Sequence, residues 1–240
     1  VVSRKGIRGG FAMTSEKKSK LLKYLDNPYL VAWYATNFDG SVVHSKIRPF
    51  PISRYDKFNR AKLLNDKSLK TSKRKFKIYS DTTMNNSSSR MKSYGLKSRA
   101  EIYEEIKGNP YIDFQQGYMD RELQWQKRTE YMFSLSLVGK GYDCYRTWES
   151  LYLGNIVLLQ SSPLDPLFEG LPVVIIKDWS EINEANLKKW AAQYHDASTN
   201  PKYREKLTSA YWLKMLEADI EAGEKKFNTY RPSYAKQLPR

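Results

Sequence analysis

Between Tyr131 and Lys177 the chain permits few kinds of local structure. A β-like run, Met132 to Val138, ends in GKGYDCYRTWE (Gly139 to Glu149), and this passes into Ser150-Leu151-Tyr152-Leu153-Gly154. Two more apolar runs follow, Ile156 to Leu159 and Pro172 to Ile176, separated by a polar loop. Strand, glycine turn and helix start in that order aim unpaired backbone N–H groups and the positive end of a helix dipole at one point beyond a sheet edge. Phosphates bind at such points, so the segment reads as a nucleotide-holding unit.

The rest of the chain alternates in the same sense. Gly10 to Thr14 reads as a short strand, Ser15 to Leu25 as a helix with Ser15 as its cap, and Leu30 to Tyr34 as a second strand. Asn37-Phe38-Asp39-Gly40 is a turn, Arg48-Pro49-Phe50-Pro51 enforces extended chain, and Ser53 to Ser72 is helical at best in part. Further on come a strand at Phe76 to Tyr79, a polar loop Asp81 to Arg90, a helix Ser98 to Lys107, a strand Tyr111 to Phe114 and a helix Asp120 to Glu130. After the glycine turn the pattern predicts a helix Tyr145 to Leu153 stopped by Gly154, strands at 156–159 and 172–176, and a helix Glu181 to Tyr194. Strands and helices alternating through short connections mark a parallel sheet covered by helices, an α/β fold. Pro201 opens a long amphipathic pattern with Leu207, Tyr211, Trp212, Met215, Leu216 and Ile220 on one face, expected to pack back across the body. Phe227 to Arg240 shows no periodicity. The expected division is a reduced N-terminal α/β domain at 1–73, a nucleotide-binding domain at 74–200, and a helix and tail at 201–240.

A net charge of +15 invites a nucleic-acid reading, and its distribution matters more than its size. Residues 1–110 hold 24 Lys/Arg and 9 Asp/Glu, whereas residues 111–240 hold 17 of each. The excess lies wholly in the first part, with its densest cluster at Lys67 to Lys77. A basic first part tracks nucleic-acid phosphates, draws an anionic substrate into a cleft, or is a solvated surface. The single cysteine, Cys144, excludes an internal disulfide framework and reads as a small buried side chain. No apolar run approaches the ~20 residues of a membrane helix, and the basic N-terminus lacks a signal-peptide centre, so a soluble cytoplasmic chain is expected.

Several side chains of the signature suit a phosphate and sugar ligand. Gly139 and Gly141 taken alone are a weak signal, since glycine pairs also make plain tight turns. Asp143 suits a helix cap. Arg146 in the first helical turn has the fork for bidentate phosphate contact, and Glu149 one turn later suits a pair of sugar hydroxyls. The competing reading pairs Arg146 with Glu149 as an exposed i,i+3 ion pair. Trp148 and Leu151 read as core, and Tyr118, Tyr142 and Tyr145 as rings able to stack on a base or sugar.

The run FSLSLVGKGYDCYRTWESLYLGNIVLLQSSPLDPLFEGLPVVIIKDWSEIN resembles the donor-binding half of exostosin-like glycosyltransferases. That family's pattern is a strand, a G-x-G-x-D-x-x-R-x-W-E turn and helix, then "LYLG" and "LPV-x-I". His44 to Ile52 is similar to its "H-P-K" and "P-I-P-I-G" segment, and Lys77 to Arg90 to its strand, polar loop and Arg. The likeness touches residues 30 to 195 and is nearest to compact forms in large algal viruses and some bacteria, among them xylosyltransferases of viral glycans. It implies a GT-B-like architecture, a nucleotide-sugar donor such as UDP-xylose, a glycan or glycoprotein acceptor, inversion at the anomeric carbon, and, for a viral chain, the host cytoplasm. It makes Arg146 and Arg90 pyrophosphate contacts, Gly139 and Gly141 the close approach to the donor, and Glu149 a hydroxyl acceptor, with Tyr142, Asp143 and Thr147 in the same turn. Ser45 and Ser53 depart from the family's usual proline and glycine.

An inverting transfer needs a base opposite the donor, and Asp39, Glu16 and His44 are the candidates, with Asp81 at the end of its strand a more remote choice. Each also has an ordinary role: Glu16 favoured by a helix dipole, Asp39 a turn former, His44 a surface side chain. No Asp-x-Asp pair flanks an apolar strand, so metal-independent chemistry with no cofactor is expected, with Arg146, Arg90 and Lys140 neutralising the leaving nucleoside diphosphate. P-loop, nucleophile-elbow and His-Glu-x-x-His patterns are absent. The alternative from another class is a basic nucleic-acid-binding module using the first 110 residues.

Overall fold

The computed structural model describes residues 14–52, 73–83, 95–139 and 141–230. Its centre is a five-stranded, wholly parallel sheet of order β4-β3-β5-β6-β7. The strands are β3 (Lys75–Ser80), β4 (Ile112–Phe114), β5 (Tyr131–Ser136), β6 (Ile156–Gln160) and β7 (Val173–Ile176). Helices α2 (Arg99–Ile106), α3 (Arg121–Thr129) and α4 (Tyr145–Tyr152) make the first three crossovers, and α5 (Glu184–Gln193) follows β7. The expected α/β alternation is therefore present.

Strands β6 and β7 are apolar on both faces, which is why they read as continuous runs. Ile78, Phe133, Leu135, Ile156, Leu158, Val174 and Ile176 pack with Ile102 and Ile106 of α2 and Leu187 and Trp190 of α5. Val157, Leu159 and Val173 pack on the other face with Leu151 of α4, Leu164, Leu167 and Leu207. Side-chain alternation along β6 separates the two layers. On β5 the α4-facing positions are small and polar. Ser134 Oγ lies 3.0 Å from Ser150 Oγ, and Ser136 Oγ lies 2.9 Å from Thr147 Oγ1. Two serines in place of branched residues bring α4 close to β5 and fix its rotation through paired hydroxyls.

Local signals set most boundaries. Ser98 and Glu101 form a reciprocal capping box at the start of α2, and Asn183 caps α5. The helix expected from Glu181 begins later, because Trp179–Glu181 forms a separate 3₁₀ turn capped by Asp178. Thr14, not Ser15, caps α1 (Ser15–Leu25). The expected strand at Gly10 to Thr14 and the segment Ser53 to Ser72 lie outside the described residues, Thr14 excepted.

Before the sheet, β1 (Trp33–Thr36) and β2 (Ile47–Phe50) form a separate parallel pair, with α1 packed on them through Leu21, Leu25, Trp33, Val42 and Ile47. Pro49 sits in β2, a strand with one sheet neighbour, where its missing N–H is tolerated. The final amphipathic pattern divides into α6 (Pro201–Lys206) and α7 (Ser209–Tyr230). Helix α7 does return to the N-terminal segment: Tyr34 donates to Asp219 at 2.5 Å, Arg48 lies 3.6 Å from the same carboxylate, and Tyr29 stacks on Phe227. Ile220, expected on its packed face, is exposed, and Phe227, expected beyond the periodic region, is still helical. Among the described residues no helix is long and apolar enough to cross a membrane.

Gly154 ends α4 at φ +78°, and a Cβ there would lie 2.5 Å from Ser198 Cβ. Gly170 has nearly the same φ, +72°, but open space around it. The left-handed backbone costs an L residue about 1–2 kcal/mol, so Gly170→Ala is expected to lose about that much and Gly154→Ala measurably more. Urea unfolding of both variants checks this; equal losses would contradict the packing of Ser198 on the turn.

Candidate functional site

Strand β3 starts the sheet and has neighbours on both sides: the chain runs outward to β4, then returns to β5 and continues to β6 and β7. The loops leaving β3 and β5 therefore diverge, and open parallel sheets bind ligands in the crevice at that reversal, outside the carboxyl ends of the strands. The loop after β3 begins with Asp81-Thr82-Thr83. The loop after β5 is the glycine turn, ending at the N-terminus of α4. The sequence signature is thus half of the crevice, and the end of β3 is the other half.

Asp81 and Arg128 dominate its floor. Arg128, in the last turn of α3, is fully buried; its Nε donates to Asp81 Oδ2 at 2.8 Å, its Nη2 donates to the same oxygen, and its Nη1 donates to Glu149 Oε2 at 2.9 Å. Arg146 Nε donates to Asp81 Oδ1, and Arg121 Nη1 donates to Glu149 Oε1 at 2.6 Å. Burial alone would raise the Asp81 carboxyl, but Arg128 and Arg146 hold it down at about 2. Burial would likewise lower Arg128, yet Asp81 and Glu149 raise it above the usual guanidinium range. Asp81 is therefore a permanently charged anchor with both oxygens engaged, and it does not serve as a base. Glu149 pairs with Arg128 and Arg121 rather than with Arg146. The i,i+3 pair is not formed, and both Glu149 oxygens hold guanidinium groups instead of standing free for hydroxyls.

Arg99, the first residue of α2, closes the crevice. Its Nε donates to the Val138 carbonyl at 2.9 Å and its Nη1 to the Thr83 carbonyl at 3.0 Å, so it spans the loops after β3 and β5. A Cβ at Gly139 would stand 3.0 Å from its Nη2 and 3.2 Å from Cys144 Sγ. Glycine lets a buried guanidinium pass close over the backbone, and a side chain there would press on it. Burial, followed by the nearby charge of Arg146, lowers the pKa of Arg99.

The N-terminal segment docks on the same turn. Asn37, at φ 52°, accepts from Asp143 N through Oδ1 at 2.7 Å, and a Cβ at Gly141 would strike that amide. Asp143 does not cap α4, whose N-cap is Cys144 without a side-chain bond. Its Oδ2 accepts from Ile52 N at 2.8 Å and its Oδ1 from Trp148 Nε1 at 2.7 Å. Burial pushes the Asp143 carboxyl up to about 7 against those donors. Asp39 is half-buried in the turn just beyond Asn37 and accepts from Ser41 N at 2.9 Å, while the neighbouring Gly40 lies against Pro163 in the loop after β6. Glu16 is exposed in the first turn of α1. His44 faces Asp26 at 3.4 Å and accepts from Lys46 N. Of the three base candidates, Asp39 is the one whose turn is docked on the crevice loops.

Beside the crevice, the outer face of α4 and the start of α7 enclose a cleft of about 210 Å³ with Phe50 to Ile52. Trp148 and Trp212 meet edge to face in its wall with centroids 6.4 Å apart. Trp148 is thus half-buried, packed against the core beside Phe168 on one side and lining the cleft on the other. Among the described residues no three His, Cys, Asp or Glu side chains gather into a metal set.

No protein-family model matches the chain, and no curated protein matches it. Of the residues singled out from sequence, Gly139, Gly141, Tyr142, Asp143, Arg146, Thr147 and Glu149 fall in the turn and helix at the crevice, with Tyr142 and Thr147 buried in support of it. Arg90 and Lys140 lie outside the described residues. Arg99, Arg121, Arg128 and Asn37 were not foreseen. Arg99 directly follows a capping serine and Arg128 closes a helix, positions where arginine is ordinary, and no periodicity distinguishes a buried one.

Two carboxyls with opposite shifts give opposite pH dependences. Asp81 is depressed, so its contribution to stability is present above the unfolded value of about 4 and is lost as pH falls toward 2. Asp143 is raised, so its contribution is full below about 4 and is lost as pH climbs through about 7. Urea unfolding between pH 5 and pH 7 is expected to show a shallower loss of stability in Asp143→Asn than in wild type. An unchanged slope would mean that Asp143 is ionised throughout that range.

Proposed function

We propose that the chain is a glycosyltransferase that binds the diphosphate of a nucleotide sugar at the β3/β5 crevice. The observation that carries this reading is the convergence there of Arg146, Arg99 and the N-terminus of α4, with four guanidinium groups (Arg99, Arg121, Arg128, Arg146) against two carboxylates (Asp81, Glu149). Fixed positive charge in excess of its counter-charges suits a dianionic group. The parallel sheet and the α7 helix returning to the N-terminal segment agree with the GT-B-like layout that the exostosin-like resemblance implies.

In this mechanism the acceptor hydroxyl of a glycan loses its proton to Asp39, its oxygen attacks the anomeric carbon, and the bond to the donor phosphate oxygen breaks with inversion. Arg146, joined by Arg90 and Lys140, stabilises the charge that develops on the departing nucleoside diphosphate. Glu149 acts through Arg128 and Arg121 as a positioning residue. UDP-xylose is the first donor to test, on the strength of the family resemblance.

A panel of UDP, GDP, UDP-xylose, UDP-glucose and GDP-fucose in EDTA, read by thermal unfolding, tests the reading. A ligand at ~100 times its dissociation constant adds ~2.7 kcal/mol, so one nucleotide series is expected to raise the midpoint and Arg146→Ala to lose that shift. No shift with any nucleotide, beside a clear and salt-sensitive one with oligonucleotides, would replace the transferase with a nucleic-acid-binding module. With the donor identified, Asp39→Asn is expected to lower kcat by about 10²-fold or more while leaving donor affinity unchanged, and Glu16→Gln to change neither. A normal rate in Asp39→Asn would remove Asp39 from the role of base.

A further inference from the structure

Arg99 has no counter-ion among the described residues. It is 9% exposed, its Nε and Nη1 are spent on the carbonyls of Val138 and Thr83, and its Nη2, the group beside Gly139, has no hydrogen-bond partner among those residues. Carbonyl acceptors satisfy N–H groups but do not neutralise charge, and a buried unpaired cation is costly. Its nearest carboxylate, Asp81, already accepts from Arg128 and Arg146. Arg146 in turn bonds Asp81 through Nε alone, and its two Nη groups have no partner among the described residues. Two like charges close enough to lower the pKa of Arg99 thus present unpaired Nη groups beside the glycine turn that opens α4. Gly139 is the residue whose missing side chain lets the Arg99 Nη2 lie against the turn.

We infer that Arg99 and Arg146 are the two jaws of a diphosphate clamp, in which Arg99 contacts the ligand directly and an inorganic pyrophosphate or nucleoside diphosphate supplies the missing counter-charge. The inference rests on reading the crevice as a donor site and adds to it a contact that the glycine-turn signature does not contain. Because Arg99 also ties the loops after β3 and β5 together, anion binding through it couples ligand charge to the spacing of those loops. A monoanion leaves one jaw unpaired, so the clamp favours diphosphate over monovalent oxyanions.

The test is calorimetric titration of the full chain with inorganic pyrophosphate and, separately, with UDP, for wild type, Arg99→Lys and Arg146→Lys, with circular dichroism to show that each variant is folded. Lysine keeps the charge and loses the fork, so each variant is expected to weaken pyrophosphate binding by about tenfold or more. Pyrophosphate binding that depends on Arg146 and is unchanged in Arg99→Lys would overturn the role of Arg99 and leave the donor site standing. UDP binding insensitive to both substitutions would overturn the clamp and move the diphosphate away from Arg146 while leaving nucleotide binding itself in place, whereas absence of binding by both ligands would overturn both the clamp and the transferase reading. Should Arg99→Lys fail to fold, wild type still decides. Cys144, the only cysteine of the chain, adjoins Gly139 beside the Arg99 Nη2, and pyrophosphate is expected to slow its alkylation severalfold. An unchanged rate would overturn the clamp.

Discussion

Arg128 is almost wholly buried, and three of its N–H groups are divided between a carboxylate at the end of β3 and another in the middle of α4. Desolvating a guanidinium and two carboxylates is expensive, and the attraction among them offsets that cost only if the geometry is held by everything around it. The sheet supplies that geometry. Strands β3 and β5 are neighbours, α3 delivers Arg128 into β5, and α4 leaves β5 again, so the members of the network sit on adjacent strands and the helices joined to them. Shifting any of these elements separates Arg128, Asp81 and Glu149 from the partners that offset their desolvation. The network therefore fixes where Arg146 and the α4 N-terminus point.

The close contact of α4 with the sheet serves the same end. Ser134 and Ser136 on β5 meet Ser150 and Thr147 on α4 through hydroxyl pairs, which set the rotation of the helix. That rotation turns Arg146 toward Asp81 and leaves Tyr145 and Trp148 on the outer face. On the far side of the glycine turn, Asn37 and Ile52 are both held by Asp143, so the N-terminal segment is bonded to the turn at two points. The turn that reads as a ligand-binding loop is also the joint between the first part of the chain and the sheet.

Much of this was visible in the sequence. The continuous apolar runs of β6 and β7, the β-like run of β5, the helix start at Ser98 and Gly154 define their elements by patterns that depend on a few neighbouring residues. The glycine turn likewise announces a crevice at the end of a strand. Hidden from a single sequence were the pairings across elements. Arg146 and Glu149 look like partners because they are three residues apart, yet each turns to a charge brought by a different strand or helix. Gly141 looks like room for a ligand, and the group that occupies the room is Asn37, more than a hundred residues earlier. Asp143 looks like a cap because of its place before a helix, but it is buried between two segments that the sequence gives no reason to join. Local rules locate elements and special turns; they carry no information about which distant side chain fills the space that a glycine leaves.

On the proposed reading the ligand site lies at the reversal of strand order, between the ends of β3 and β5. Hydrogen–deuterium exchange with and without UDP, and with and without pyrophosphate, tests it most directly, because it maps protection along the whole chain without a substitution. The account predicts slowed exchange confined to Asp81 to Thr83, Leu137 to Glu149 and the first turn of α2, with β7 and α5 unchanged. Protection concentrated instead at Phe50 to Ile52 and the start of α7, or in the basic first part of the chain, would contradict it.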